Sequence, residues 1–386
     1  MRVVKSVALA ALFVGLTGCV STPPEPLESA NVLLNDKAFP GYHLFDVETE
    51  EEVFTLPPEA RAFVERVTWP HDHPSKKIKA LVSSVFDRSD FNLLYSNDAN
   101  TTAAQTFRNK AANCLSMSIM TYALARYAGF DARFQDIQIP EYWTRRDGFS
   151  LLNGHVNVLV RPRHDQNVIQ LLSNDMVIDF DPQDSRKHFP VVEISKRQAL
   201  AMFYNNKGAD ALISDSYSQA YAYFRAAVEQ DPDFDAVWVN LGILYRRTGS
   251  PDLAQKVYER AIQADDDNLT AWENLAFLHQ QNGNIALADE IFTRVERRRQ
   301  DNPFYHFILG EQAFDDGDLE GALLHYVKAH RLDAEKHEIL FGLSKTYYEL
   351  GDISRAEKYL AMAKRRAPNP VEEARYEGKL SKLQRL

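Results

Sequence analysis

The chain has 386 residues, 45% of them hydrophobic and 25% charged, which suits two ordinary globular domains and excludes a disordered, collagen-like or disulfide-stapled protein. Its 44 Lys+Arg against 54 Asp+Glu give a net charge of −10, which argues against a nucleic-acid-binding surface. Two cysteines can form at most one disulfide, so their positions say more than their number.

The first segment sets the expected compartment. Met1 to Lys5 is short and positive, Val7 to Leu16 is apolar, and Leu16-Thr17-Gly18-Cys19 follows at once. This reads as a signal peptide over 1–18, too short in its apolar part to span a bilayer. The tetrapeptide resembles the bacterial lipobox, which implies cleavage before Cys19 and a lipid on that cysteine. Val20 in place of an aspartate after it resembles proteins sorted to the outer membrane. The expected location is therefore the bacterial cell envelope, on the outer membrane facing the periplasm, with Cys19 and a tether over 19–54 that includes Ser21-Thr22-Pro23-Pro24-Glu25-Pro26.

With Cys19 lipidated, Cys114 is the one thiol left, without an intramolecular partner in an oxidising compartment. Apolar residues at helical spacing run from Leu115 to Tyr127, Gly129 supplies a stop and Asn113 an N-cap, so Cys114 opens a helix. Free N–H groups and the positive end of the helix dipole there favour a thiolate and can cradle an oxyanion. Downstream, Gly154 to Val160 reads as a strand with His155 at its start. Met176 to Pro182 reads as a second strand, carrying Asp179 and Asp181 on one face. Cys, His and Asp in this order can supply a nucleophile, a general base and a carboxylate that orients the imidazole. Either Asp179 or Asp181 would serve, accepting Nδ1–H and leaving Nε2 for the thiol proton. Oxyanion donors would be the Cys114 N–H and a side-chain amide, with Gln105 and Asn109 as candidates.

Asn113-Cys114-Leu115-Ser116, then Leu124-Ala125-Arg126-Tyr127-Ala128-Gly129-Phe130-Asp131-Ala132-Arg133, then His155 and the two acids, resemble the transglutaminase-like superfamily, relatives of papain-type cysteine peptidases. The resemblance implies an α+β transglutaminase-like/papain-like domain over 55–198 and, since the acid of that family often follows two apolar residues, favours Asp179 over Asp181. Ala112-Asn113 before the cysteine and Val156-Asn157 after the histidine depart from the commoner Gly and Ala-Trp of that family, which weakens any inference about substrate. Nothing calls for a cofactor, and His71-Asp72-His73-Pro74 offers too few ligands for zinc. Tyr142-Trp143 with Arg145-Arg146 would suit the rim of a substrate cleft.

From 201 onward the chain repeats every 34 residues, with copies starting at 201, 235, 269, 303 and 337. Position 8 is Gly208, Gly242, Ala276, Gly310 and Ser344, and position 20 is alanine throughout. Position 24 is Phe224, Tyr258, Phe292, Tyr326 and Leu360, and Gly249, Gly283, Gly317 and Gly351 hold position 15. Small residues at 8 and 20 let two helices touch, the aromatic at 24 wedges against the next pair, and the glycine turns the corner. This pattern resembles tetratricopeptide repeats and implies an all-α solenoid over 199–370, with a capping helix over 371–386. In such a solenoid Val239, Ile243, Phe277, Phe304, Phe307, Phe314, Phe341 and Tyr348 would line the groove, with Glu273, Glu311, Glu338 and Lys345 among them, and receive a protein or peptide partner.

Two functions follow. One is a membrane-anchored thiol enzyme that hydrolyses, or else rearranges, amide bonds of a substrate recruited by the repeats. The other is a non-catalytic repeat scaffold for assembly in the envelope.

Overall fold

The structure, a computed structural model, describes residues 32–86, 93–96, 98–146, 149–162, 175–180, 189–367 and 370–384. The expected leader, Cys19, the proline-containing stretch after it and Asp181 lie outside these residues. Among the described residues no helix is long and apolar enough to cross a membrane.

The first half places helices against an antiparallel sheet. Helices α1 (Glu50–Phe54), α2 (Pro58–Thr68) and α3 (Pro74–Phe86) lead to a short parallel pair, β1 (Leu94–Tyr95) with β2 (Ala111–Ala112), on either side of α4 (Ala103–Asn109). Helix α5 (Cys114–Tyr127) follows, then β3 (Asp131–Arg146), β4 (Phe149–Arg161), β5 (Met176–Ile178) and β6 (Val191–Ile194), ordered β5-β4-β3-β6. Helix α5 is buried along most of its circumference, as its nearly continuous apolar and small residues require of a central helix. Tyr122 stacks on Phe134 of β3 at 4.6 Å, and the Ser118 hydroxyl donates to the Val156 carbonyl of β4 at 2.9 Å. Gly129 ends the helix at φ 88°, with the Phe130 N–H returning to the Ala125 carbonyl.

The β3–β4 hairpin is longer than the sheet it belongs to. Its base pairs from Asp131 with Arg161 to Ile137 with His155. The register then shifts and resumes with Tyr142 opposite Asn153, running out to Arg146 opposite Phe149. Residues 138–141 thus bulge opposite Gly154, and Pro140 has no N–H to give to a ladder there. The bulge divides the hairpin into a base within the sheet and an arm beyond it.

The second half is helical: α6 (Lys196–Ile213), α7 (Tyr217–Gln230), α8 (Asp235–Arg247), α9 (Pro251–Ala264), α10 (Leu269–Gln281), α11 (Ile285–Arg299), α12 (Pro303–Asp315), α13 (Leu319–Leu332), α14 (His337–Glu349), α15 (Ile353–Arg365) and α16 (Pro370–Leu383). They pair as α6–α7, α8–α9 and so on, one pair per repeat, with α16 against α15. A Cβ on Gly242 would stand 2.2 Å from Tyr258, on Gly208 2.5 Å from Phe224, and on Gly310 2.7 Å from Tyr326. The aromatic at position 24 therefore lies first on the glycine of its own pair; Tyr326 also lies on Gly342 of the next. Glycines at position 15 have φ of 78–82°, and in the first repeat Asp215 takes the same left-handed conformation at 56°.

Residues 32–48, expected to be tether, are instead packed onto the repeats. Phe39 is buried and stacks on Tyr221 at 4.5 Å. The Tyr245 hydroxyl donates to the Leu33 carbonyl and accepts from the Asn35 N–H, and the Tyr221 hydroxyl donates to Asp36. The Tyr204 and Tyr223 hydroxyls donate to the Glu48 carbonyl and carboxylate. The apolar residues needed to cover α7 and α8 come from this segment, so one continuous core runs from Leu33 through the sheet domain to Leu278.

Candidate active site

Asn113 opens α5. Its side chain accepts from the Ser116 N–H at 2.9 Å and donates to Asn100, whose amide donates in turn to Asp210 on α6, each at 2.5 Å. The N-cap of the helix that Cys114 begins is thereby fastened to the first repeat helix. Cys114, at the first helical position, has an N–H with no intrahelical acceptor. It is a free, partly exposed thiol, its Sγ 3.8 Å from the Gly154 carbonyl oxygen.

His155 follows Gly154 on β4 and is almost wholly buried. Its Nε2 stands 2.9 and 3.0 Å from the two carboxylate oxygens of Asp179, just past β5. The expected arrangement is thus reversed: Asp179 takes Nε2, leaving Nδ1 as the nitrogen for the thiol. Burial opposes a charged ring, but hydrogen bonds to Asp179 and to the Cys114 side chain outweigh it, and the His155 pKa rises to about 10. His155 is therefore an imidazolium at neutral pH. Asp179 is the acid that reaches it; Asp181 lies outside the described residues.

The oxyanion candidates fare differently. The Gln105 side chain is engaged at the start of α4, accepting from the Thr102 N–H at 3.0 Å, and Asn109 is exposed at the far end of that helix. Neither is hydrogen-bonded to Cys114 among the described residues, so the donor offered at the thiol is backbone. Sequence reasoning missed Asn100 and Asp210, which stabilise the N-cap, and Asp136, which stands on β3 within electrostatic reach of His155. Burial pushes the Asp136 carboxyl up to about 6, a hydrogen bond from Gln138 opposes this, and the Asp235 carboxylate at the start of α8 adds to it. No local motif marks these residues, because their partners are 13 to 110 positions away.

The expected cleft rim and the expected peptide groove meet each other. The Glu141 carboxylate forms a two-point ion pair with Arg299 at 2.7 and 2.8 Å, and Asn302 donates to the Glu141 carbonyl. Tyr142 and Trp143 pack on Phe304 and Ile308, Trp143 lies beneath the Arg299 guanidinium at 5.0 Å, and the Tyr142 hydroxyl donates to Glu338. So Tyr142-Trp143 does not rim a cleft; the side chains of Arg145 and Arg146 lie outside the description. Of the groove residues, Phe304 is covered by the arm, and Val239 and Ile243 belong to the core. Phe307 packs on Tyr326, Phe314 lies under Lys345, and Phe341 packs on Tyr376. Phe277 and Tyr348 remain open, at 42% and 43% exposed. Much of the anticipated groove is thus filled from within the chain.

Fold and site together define a chain with a cysteine, histidine and aspartate gathered in an α+β domain, followed by a helical-repeat solenoid. Residues 61–157 match the family model described as transglutaminase-like superfamily, and residues 235–278 and 313–383 match tetratricopeptide repeat models. The chain carries a transglutaminase-like domain followed by tetratricopeptide repeats, a module of protein–protein interaction. No curated protein matches it. Solved structures similar to part of it include the APC/C hetero-tetramer Cut9-Hcn1, 24% identical over 47% of this chain and 36% of that one, with a TM-score of 0.29. YrrB, a tetratricopeptide repeat protein with an unusual peptide-binding site, is 18% identical over 46% and 92%, with a TM-score of 0.26. A thermophilic tetratricopeptide repeat protein of Thermus thermophilus is 16% identical over 48% and 100%, with a TM-score of 0.32. This chain thus spans about a third of the first of these.

Proposed function

We propose that the transglutaminase-like domain is a thiol-dependent acyl-transfer centre that cleaves amide bonds of a protein or peptide. The observation that carries this is His155 held through Nε2 by Asp179 and coupled to Cys114 at the first turn of α5. The His155 imidazolium already holds on Nδ1 the proton given up by Cys114, and Sγ attacks the carbonyl carbon. The developing oxyanion faces the free N–H at the helix start. The C–N bond then breaks as His155 returns the proton to the leaving amine. Water, deprotonated by His155, hydrolyses the thioester and regenerates the thiol. Hydrolysis is preferred over cross-linking because water is abundant and no feature of the site specifies a lysine acceptor. We propose further that a lipid on Cys19 holds the chain to the outer membrane facing the periplasm, and that the repeats bring a protein partner to it.

The test is alkylation of Cys114 by iodoacetamide in the full chain carrying Cys19→Ser, which leaves one thiol. At about pH 6–7 the parent is expected to react at least about tenfold faster than its His155→Ala variant. Equal rates would mean a structural cysteine and leave the repeat scaffold as the function.

A further inference from the structure

Where it leaves the bulge, the arm of the β3–β4 hairpin touches the repeats through one strand and the reacting groups through the other. On β3, the Glu141 carboxylate sits on Arg299, which is 2% exposed and also paired with Glu273 at 2.9 Å, and Asn302 holds the Glu141 carbonyl at 2.9 Å. On β4, the Asn153 amide donates to the carbonyl of the neighbouring Tyr142 at 3.2 Å, and the next two residues are Gly154, whose carbonyl meets Sγ, and His155. No regular ladder bridges the bulge between base and arm, so the sheet alone leaves the direction of Gly154 underdetermined.

We infer that Glu141 and Arg299 are positioning residues for the Cys114 and His155 pair: their ion pair latches the arm to the repeats, and the latched arm sets where Gly154 and His155 stand against the thiol. This rests on the reading that Cys114 and His155 react together. The repeats then act on the chemistry as well as on a partner, since whatever lifts the arm from Arg299 loosens the pair. A buried, two-point carboxylate–guanidinium contact suits this task because its geometry is directional and neither group is easily left alone.

The experiment uses the full chain with Cys19→Ser and follows iodoacetamide alkylation of Cys114 across about pH 5–9 in the parent, His155→Ala, Glu141→Gln and Glu141→Asp. Glu141→Gln is expected to slow alkylation about 10- to 100-fold at pH 7 and to move the pH profile towards that of His155→Ala, with far-UV circular dichroism unchanged. Glu141→Asp, which keeps a charge beside Arg299, should lose less, about two- to tenfold, and carries the same comparison should the glutamine variant not fold. A parent that differs from His155→Ala, together with Glu141 variants that keep the parent's rate and profile, overturns the latch and leaves the site intact. A parent that matches His155→Ala overturns the site itself, and the latch with it.

Discussion

The chemistry of single residues turns on which edge of the His155 ring meets which partner. Asp179 on Nε2 stabilises the imidazolium, so His155 binds its proton more tightly in the folded chain, at about 10, than in the unfolded one, at about 6.5. A raised folded value contributes stability that is fully present below about pH 6.5 and is lost as the pH rises through about 10. Asp136, raised to about 6, loses its own contribution below that window, and Tyr204, at about 12, begins to lose its contribution only above it. The unfolding midpoint is therefore expected to fall between about pH 7 and 10, and the fall should be clearly shallower in Asp179→Asn. Parallel pH curves for the two proteins, measured by circular dichroism melts, would show that the pair adds nothing to stability.

Among the elements, helix pairing rests on a ring pressed against a glycine. Gly242 lies under the fully buried Tyr258, where an added Cβ would come within 2.2 Å of the ring. Overpacking of this kind costs about 1–3 kcal/mol, against roughly 1 kcal/mol gained from replacing a helical glycine by alanine. Gly242→Ala is thus expected to destabilise the chain by up to about 2 kcal/mol, read from urea unfolding. The third repeat tolerates Ala276 because Phe292 is less deeply buried there and leans on Phe277, at 5.0 Å. A neutral or stabilising Gly242→Ala would mean that the ring has room to move.

For the whole molecule, one core joins what the sequence divides. The segment from Leu33 to Glu48 lies on α7 and α8, the Asn113–Asn100–Asp210 chain ties α5 to α6, and the arm reaches α10 to α14. Phe39→Ala removes a ring stacked between the amino-terminal segment and α7. It is expected to cost about 3–4 kcal/mol and to lower the melting of both halves together. Two separate transitions, with only the helical one shifted, would show the halves to be independent.

Local pattern was enough to determine the helix at Cys114, the strand at His155 and the repeat helices. The spacing of Leu115 to Tyr127, the Asn113 cap, the strand at His155 and the 34-residue repeat are all set by residues that interact within a few positions or with their own repeat copy. The same reading named Cys114, His155 and Asp179, with Asp181 as the alternative acid, from local signatures alone. Tertiary structure alone decided which imidazole nitrogen faces Asp179, that Gln105 serves a helix cap, and that Tyr142 and Trp143 fill the groove instead of rimming a cleft. It also decided that residues 32–48 pack on the repeats, with Leu33 and Phe39 in the core. Each of these depends on a partner far along the chain, and a side chain's periodicity shows that it is buried without showing what covers it.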